Sequence, residues 1–216
     1  MKSEVFLQDC LIGMKSYPDK YFDLAVVDPP YGISIIKQFT RPNNTGMMGK
    51  KTMNMARSKS CFDNSIPEKL YFDELFRVSI QQIIWGGNYF LDYLGATDGL
   101  IIWDKMNGTN PMADAEIAWK SFEGANRIFR MHHFTAGYDD KIHPTQKPTK
   151  LYSWIYKNYL PEGGKVIDTH LGSGSNRIAA DKAGNIDFTG YEIDKDYYEA
   201  QEKRWKNYKA QLTMFA

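Results

Sequence analysis

The sequence predicts a single α/β domain, with one mostly parallel sheet covered by helices on both faces. Three observations carry that expectation. Short apolar runs alternate with stretches of helical spacing along all 216 residues. Two of the apolar runs end in an acid followed by a turn of prolines or glycines, at Asp28 and at Asp168. No internal repeat, domain-sized linker or low-complexity block divides the chain, so residues 1–216 read as one domain.

In chain order, Val5-Phe6-Leu7 opens as a short strand. Asp9 stands as the N-cap of a helix over residues 11–16, and Tyr17-Pro18-Asp19-Lys20 is a turn. Residues 23–27 are a buried strand. Residues 36–64 hold Gly46, Gly49 and four methionines (Met47, Met48, Met53, Met55) without a period of two or 3.6. They read as a long flexible loop, a kind that is usually functional or disordered. Ser65-Ile66-Pro67-Glu68 has a capping-box pattern opening a helix to about Ser79, with Leu70, Leu75, Val78, Phe72 and Phe76 on its apolar side. Strands follow at 82–85 and 99–103, with a short helix at 89–94 between them. Residues 113–120 and 127–132 are extended. A helix bearing Leu151, Trp154, Ile155 and Tyr159 precedes a strand at 165–168. A helix at 176–183 stops at Gly184. A strand at 187–191 ends at Glu192, and Asp194 caps a last helix to about Lys209.

Hydrophobic content of 43% and charged content of 25% are ordinary for a globular chain. No run of 18 apolar residues predicts a membrane span, and Met1-Lys2-Ser3-Glu4 lacks an apolar signal core. Cys10 and Cys61 make neither a disulfide framework nor a zinc pattern, which fits a reduced, cytoplasmic setting and no metal. A net charge of +1 excludes a nonspecific DNA-coating protein, but the charge is unevenly spread. Between positions 37 and 61 stand Lys37, Arg41, Lys50, Lys51, Arg57 and Lys59, and no acid. Aromatic content of 14% leaves rings for stacking, and a basic segment beside a base-sized pocket suits a nucleic-acid enzyme. A plain solvated loop accounts for that charge equally well.

The first chemical constellation is Asp28-Pro29-Pro30-Tyr31-Gly32, directly after the strand at 23–27. The carboxyl ends of strands are where ligands bind in open α/β sheets. The prolines fix φ and remove donors, leaving the Asp28 carboxylate and the Pro29 carbonyl as acceptors. Such a turn suits a substrate amino group, and Tyr31 offers a flat face to a base.

The second runs from Val166 to Ser175. A strand ends at Asp168 and passes through Leu171, Gly172, Ser173 and Gly174 into a helix. The glycines allow close backbone approach, and the helix start offers oriented donors. Glu192, 24 residues after Asp168, ends the next strand, where an acid can take both hydroxyls of a ribose. Arg177 stands where a dinucleotide fingerprint has its third glycine, and no Gly-Lys-Ser/Thr follows as in a P-loop. A nucleoside cofactor without phosphates fits, and S-adenosylmethionine is one.

Taken together, the motifs resemble the β-class DNA amino-methyltransferases. Four blocks match in the family's order: Asp28-Pro29-Pro30-Tyr31, Trp85-Gly86-Gly87-Asn88, His143-Pro144-Thr145-Gln146-Lys147-Pro148, and Asp168 through Gly174 followed by Glu192 and Ile193. The chain departs from the family at His170-Leu171, where a bulky aromatic and a small residue are usual. The resemblance implies a Rossmann-like S-adenosylmethionine-dependent methyltransferase fold with circularly permuted motif order, catalytic half first. It implies that Asp28 and the Pro29 carbonyl accept hydrogen bonds from the exocyclic amine of a flipped base, with Tyr31 stacked on that base. It further implies that Glu192 binds the cofactor ribose, that Asp168, Gly172 and Gly174 form the cofactor turn, and that the segment with His143, Thr145, Gln146 and Lys147 closes over the methionine end. Asp9 is a weaker candidate for the cofactor adenine, and a plain helix cap explains it as well.

Asp rather than Ser before Pro-Pro-Tyr favours adenine N6 over cytosine N4. An RNA base methyltransferase, a silent DNA-binding module and a dehydrogenase are the other readings. Double-stranded DNA is the expected partner, gripped by 36–64 and by a small target-recognition segment at 120–142. So little room for recognition suits a short target sequence or a second subunit such as a homodimer. A cognate restriction endonuclease is a further expected partner, and the small size suits a phage or prophage enzyme.

Overall fold

Strand β2 (Phe22–Val27) is apolar at five of its six positions and lies at the centre of the sheet. A computed structural model of the chain describes residues 2–33, 65–108, 113–132 and 141–214. The expected loop at 36–64 therefore falls wholly outside the described residues, as do residues 133–140 of the segment at 120–142.

The described elements are β1 (Ser3–Leu7), α1 (Cys10–Met14), β2, α2 (Lys69–Val78), β3 (Ser79–Trp85), a 3₁₀ turn at Gly87–Tyr89, α3 (Leu91–Leu94), β4 (Leu100–Asp104), β5 (Ala115–Lys120), β6 (Arg127–Arg130), α4 (Thr149–Tyr159), β7 (Gly164–Asp168), α5 (Ser175–Ala183), β8 (Ile186–Glu192) and α6 (Lys195–Met214). The strands form one sheet in the order β1-β8-β7-β2-β3-β5-β4-β6. Among them only β5 runs against the others, pairing antiparallel with β3 and β4.

Alternate residues of β2 serve opposite faces, as the two-residue period of a strand requires. Leu24 and Val26 pack with Val166, Leu151 and Ile155 on one side. Ala25 and Val27 pack with Met14, Phe72, Leu75 and Ile167 on the other. Burial on both faces is why these strands read as continuous apolar runs rather than alternating ones.

Sheet order reverses between β2 and β7, which pair in parallel with Leu24 opposite Val166. From β2 the chain winds through α2 to β3 on one flank, and from β7 through α5 to β8 on the other. A crevice forms at the carboxyl ends of strands at such a switch point. Asn176 on α5 ties the two strands together there. Its side-chain amide donates to the Val26 carbonyl (3.0 Å) and to Asp168 (2.9 Å), and it accepts from the Tyr156 hydroxyl.

The start of α2 differs from expectation. Glu68, not Ser65, is the N-cap, and it makes no side-chain capping bond. Pro67 disfavours helical backbone at Ile66. The backbone at Ile66 also passes close to Gly32, where an added Cβ would meet Ile66 N at 3.1 Å. Leu70 is half exposed, and Tyr71 instead joins the buried face with Phe72, Leu75 and Val78. Strand β3 begins directly after α2, at a buried Ser79 whose hydroxyl donates to the Leu75 carbonyl (2.5 Å).

Replacing Asn176 with leucine keeps the volume but strips partners from Val26, Asp168 and Tyr156. Each buried polar group left unpaired costs about 1–3 kcal/mol. The expected result is an unfolding free energy from urea titration lowered by about that much or more, seen as a lower midpoint with the slope of the transition unchanged.

Candidate active site

Four adjacent strands each present an acid at or just beyond the carboxyl end. In sheet order these are Asp9, two residues past β1; Glu192, last in β8; Asp168, last in β7; and Asp28, next after β2. At a spacing of about 4.8 Å between strands, the row spans roughly 14 Å.

The Asp168 half is a tight backbone turn. Gly172 and Gly174 both have positive φ (+51° and +69°), and the Gly174 amide donates to the Leu171 carbonyl at 2.9 Å. Glu192 accepts from the Gly172 amide (2.8 Å) and from the Asp194 amide (2.9 Å), so the end of β8 is locked onto the turn. Asp168 accepts from the His170 amide (3.1 Å) and from Asn176. Ser173 is buried, and its hydroxyl lies 3.1 Å from that of Ser175. His170 and Leu171, the departure from the family pattern, both turn inward. The His170 ring meets Tyr71 edge-on and Leu171 is buried in the core. Asp9 accepts from the Leu11 amide (2.8 Å) as the cap of α1, while the exposed Ile193 side chain borders Glu192.

The 143–148 segment packs over this turn. His143 lies against Tyr197, ring centroids 4.4 Å apart, and an added Cβ on Gly172 would meet its ring at 3.7 Å. The His143 Nδ1 is 3.1 Å from the Thr145 hydroxyl, and the Gln146 side chain accepts from the Ile142 amide (3.0 Å). Burial, with the ammonium groups of Lys147 and Lys141, pushes His143 down to about 3, so the ring is neutral.

Lys147 points away from the turn and into the Asp28 half. Its buried ammonium pairs with Asp28 (2.5 Å) and Glu116 (3.0 Å), and donates to the Tyr31 hydroxyl (3.2 Å). The Tyr31 hydroxyl donates in turn to the other Asp28 oxygen (2.6 Å). Lys105 pairs with the second oxygen of Glu116 (2.6 Å). Burial opposes charge on both acids. Two ammonium groups outweigh it at Glu116 and hold that carboxyl at about 2. Asp28 has one ammonium and a neighbouring Glu116 charge, so burial leaves its pKa raised. Burial acts to lower the Lys147 pKa, but the two carboxylates outweigh it and keep the amine protonated.

Tyr31 stacks on Tyr89 with ring centroids 4.9 Å apart and planes at 15°, and Tyr89 is 42% exposed. Gly86 makes room for the Tyr31 ring. A Cβ there would lie 2.1 Å from a ring carbon, and φ is +71°. The adjacent Gly87 does the same for the Trp119 side chain.

Sequence reasoning missed Glu116, Lys105, Tyr89 and Asn176. Glu116 had a visible signal, an acid inside the otherwise apolar Ala115-Glu116-Ile117-Ala118-Trp119. Lys37, Arg41, Lys50, Lys51, Arg57 and Lys59 lie outside the described residues. No group of three or more His, Cys, Asp or Glu side chains is placed to hold a metal among the described residues, and no described helix is long and apolar enough to cross a membrane.

A doubly wound sheet with acids at the carboxyl ends of the strands around its switch point is the place where open α/β proteins take ligands. Comparison with known proteins narrows this class. The DNA methylase family model N6_N4_Mtase matches residues 102–203, a span that holds Glu116, Lys147, Asp168 and Glu192 but not Asp28. The type II methyltransferase M.ScaI of Streptomyces caespitosus is 24% identical over 88% of this chain and 77% of its own length. M2.DpnII of Streptococcus pneumoniae is 36% identical over 62 residues, 29% of this chain, and the match spans only 23% of that protein. The M1.HpyAVI–SAM complex shares the fold with a TM-score of 0.61 at 18% identity, covering 95% of this chain and 99% of that one. The cytosine-N4-specific PvuII DNA methyltransferase does so at 0.56 and 14%, covering 94% and 86%. The chain is thus similar to DNA methylases over the 102–203 span, and the name of the matching model takes in both N6 and N4 enzymes.

Two measurements test this geometry. Burial, partly offset by hydrogen bonds from Asn176 and the His170 amide, raises Asp168 from 3.8 to about 7. The native state thus holds this proton more tightly than the unfolded chain. That contribution to stability is complete below about pH 4 and is lost as pH rises through about 7. The melting temperature of the ligand-free protein should therefore fall between pH 5 and 8 more steeply than that of Asp168→Asn. Gly86→Ala should cost about 1–3 kcal/mol from the backbone strain alone. It should also expose Tyr31, which near-ultraviolet circular dichroism would register.

Proposed function

We propose that this chain is a site-specific DNA methyltransferase that transfers the methyl group of S-adenosylmethionine to the N6 amine of adenine in a base flipped out of the duplex. One observation carries the reading. The Asp28-Pro29-Pro30-Tyr31 turn and the Asp168–Gly174 turn end neighbouring strands, β2 and β7, so an amine acceptor and a nucleoside turn adjoin.

The donor set fits the cofactor. The row of acids suits ribose hydroxyls and cationic groups, and a phosphate would be repelled there. S-adenosylmethionine supplies a methyl group on a sulfonium. Glu192 takes the ribose hydroxyls, with Asp168, Leu171, Gly172, Ser173 and Gly174 forming the floor and Asp9 and Ile193 at the adenine end. His143, Thr145 and Gln146 close over the methionine end. Asp28 and the Pro29 carbonyl accept the exocyclic amine and aim its lone pair, and holding the partners in line does much of the catalysis. The stacked Tyr31–Tyr89 pair offers the base an aromatic surface.

Asp before Pro-Pro-Tyr favours adenine. Cytosine N4 is the alternative, since the PvuII enzyme has the same fold. The six basic residues from Lys37 to Lys59 and the segment at 120–142 would grip double-stranded DNA. A homodimer and a cognate restriction endonuclease, within the cytoplasm, complete the proposal.

The test incubates the protein with unmethylated DNA and labelled S-adenosylmethionine, then separates the nucleosides. Label is expected in N6-methyldeoxyadenosine, and Asp28→Ala should lower the rate about a hundredfold or more, as expected when a group acting on the transition state is lost. Label in N4-methyldeoxycytidine would overturn the base assignment. Cofactor binding without any label in DNA would overturn the substrate.

A further inference from the structure

Two carboxylates share one buried ammonium in this site, and the amine acceptor is one of them. Lys147 has three protons to donate, and they meet Asp28, Glu116 and the Tyr31 hydroxyl. Asp28 has one oxygen on Lys147 and the other on Tyr31. An ammonium at this distance draws off the electron density that would receive an incoming amine. Asp28 becomes a stronger acceptor for a substrate amine when Lys147 yields.

Lys147 cannot yield to nothing, because a buried charge stripped of its counter-charge is strongly disfavoured. Glu116 supplies that counter-charge 3.0 Å away, so the ammonium needs no long excursion. Lys105 holds the far oxygen of Glu116 at 2.6 Å, keeping the side chain ionised and fixed on β5. The Trp85 ring, 5.2 Å from the ammonium, adds a favourable π face.

We propose that Glu116 is a positioning residue that takes Lys147 over from Asp28 when the target base enters, releasing Asp28 to accept the exocyclic amine. The proposal rests on the reading of Asp28 as that acceptor. Lys147 thus masks Asp28 while the pocket lacks a base, and Glu116 makes the mask removable.

The experiment compares wild type, Glu116→Gln, Glu116→Asp and the double variant Glu116→Gln/Lys147→Met. It measures S-adenosylhomocysteine binding by calorimetry and kcat and KM on methylatable DNA, with melting temperatures to confirm folding. In Glu116→Gln the lysine stays on Asp28. Cofactor affinity should be unchanged and kcat should fall about tenfold or more, the signature of an interaction made only on the way to the transition state. Glu116→Asp, which keeps the charge, should retain more activity than Glu116→Gln. Removing the lysine as well should recover activity over the single variant, a coupling that a merely structural role would not give. A Glu116→Gln rate within about twofold of wild type, or a double variant slower than the single, would overturn the proposal. A wild type that methylates no DNA while binding cofactor would overturn the reading beneath it, and the proposal with it.

Discussion

Everything in the candidate site depends on β2 lying beside β7. That pairing sets Asp28 and Asp168 at one edge of the sheet, although 140 residues separate them. It is enforced from both ends. Near the strand starts, Asp23 accepts the Lys165 amide at 2.7 Å. Near the carboxyl ends, Asn176 bonds the Val26 carbonyl and the Asp168 carboxylate from the start of α5. One buried amide therefore fixes the distance between the two turns, the quantity on which a transfer between two bound molecules depends.

The two halves obey different electrostatics on the same frame. Among the described residues no cation pairs with Asp168 or Glu192, and burial raises both. That environment gains most from a ligand bearing positive charge. Around Asp28 the chain supplies its own cations, Lys147 and Lys105, against two carboxylates, and the local charge balances. One side therefore suits a ligand bearing positive charge. On the other the charges are already paired within the chain.

Much of this was legible in the sequence because it is local. Asp28, Asp168 and Glu192 each end an apolar run, and the prolines and glycines after the first two mark the turns within a few residues. The meaning of Trp85-Gly86-Gly87-Asn88 was not legible, since Gly86 is small to admit a ring from Tyr31, 55 positions earlier. Lys147 was visible as part of a motif, but its direction was not. The neighbouring residues fold over Gly172, while its own side chain crosses to the other half of the crevice. Glu116 and Tyr89 reach the site only through the order of strands. The start of α2 was misplaced because a capping pattern at Ser65 competes with Pro67 and with the passage beside Gly32, and the latter two prevail.

The cluster of Lys105, Glu116, Lys147, Asp28 and Tyr31 is costly to build as a stabilising device. Buried ion pairs contribute little net stability, because desolvation offsets most of their attraction, and apolar residues of similar volume commonly do as well. Trp85, Trp103 and Tyr152 line the core around it, so an apolar filling was open to this fold. Charges kept where packing alone would suffice mark a place where local rules give way to chemistry. The asymmetry within the cluster says which chemistry. Glu116 is gripped by two ammonium groups and held low, whereas Asp28 is gripped by one and raised. Of the two acids, Asp28 is the one paired with a single ammonium, and it is the one that follows β2 beside the Asp168–Gly174 turn.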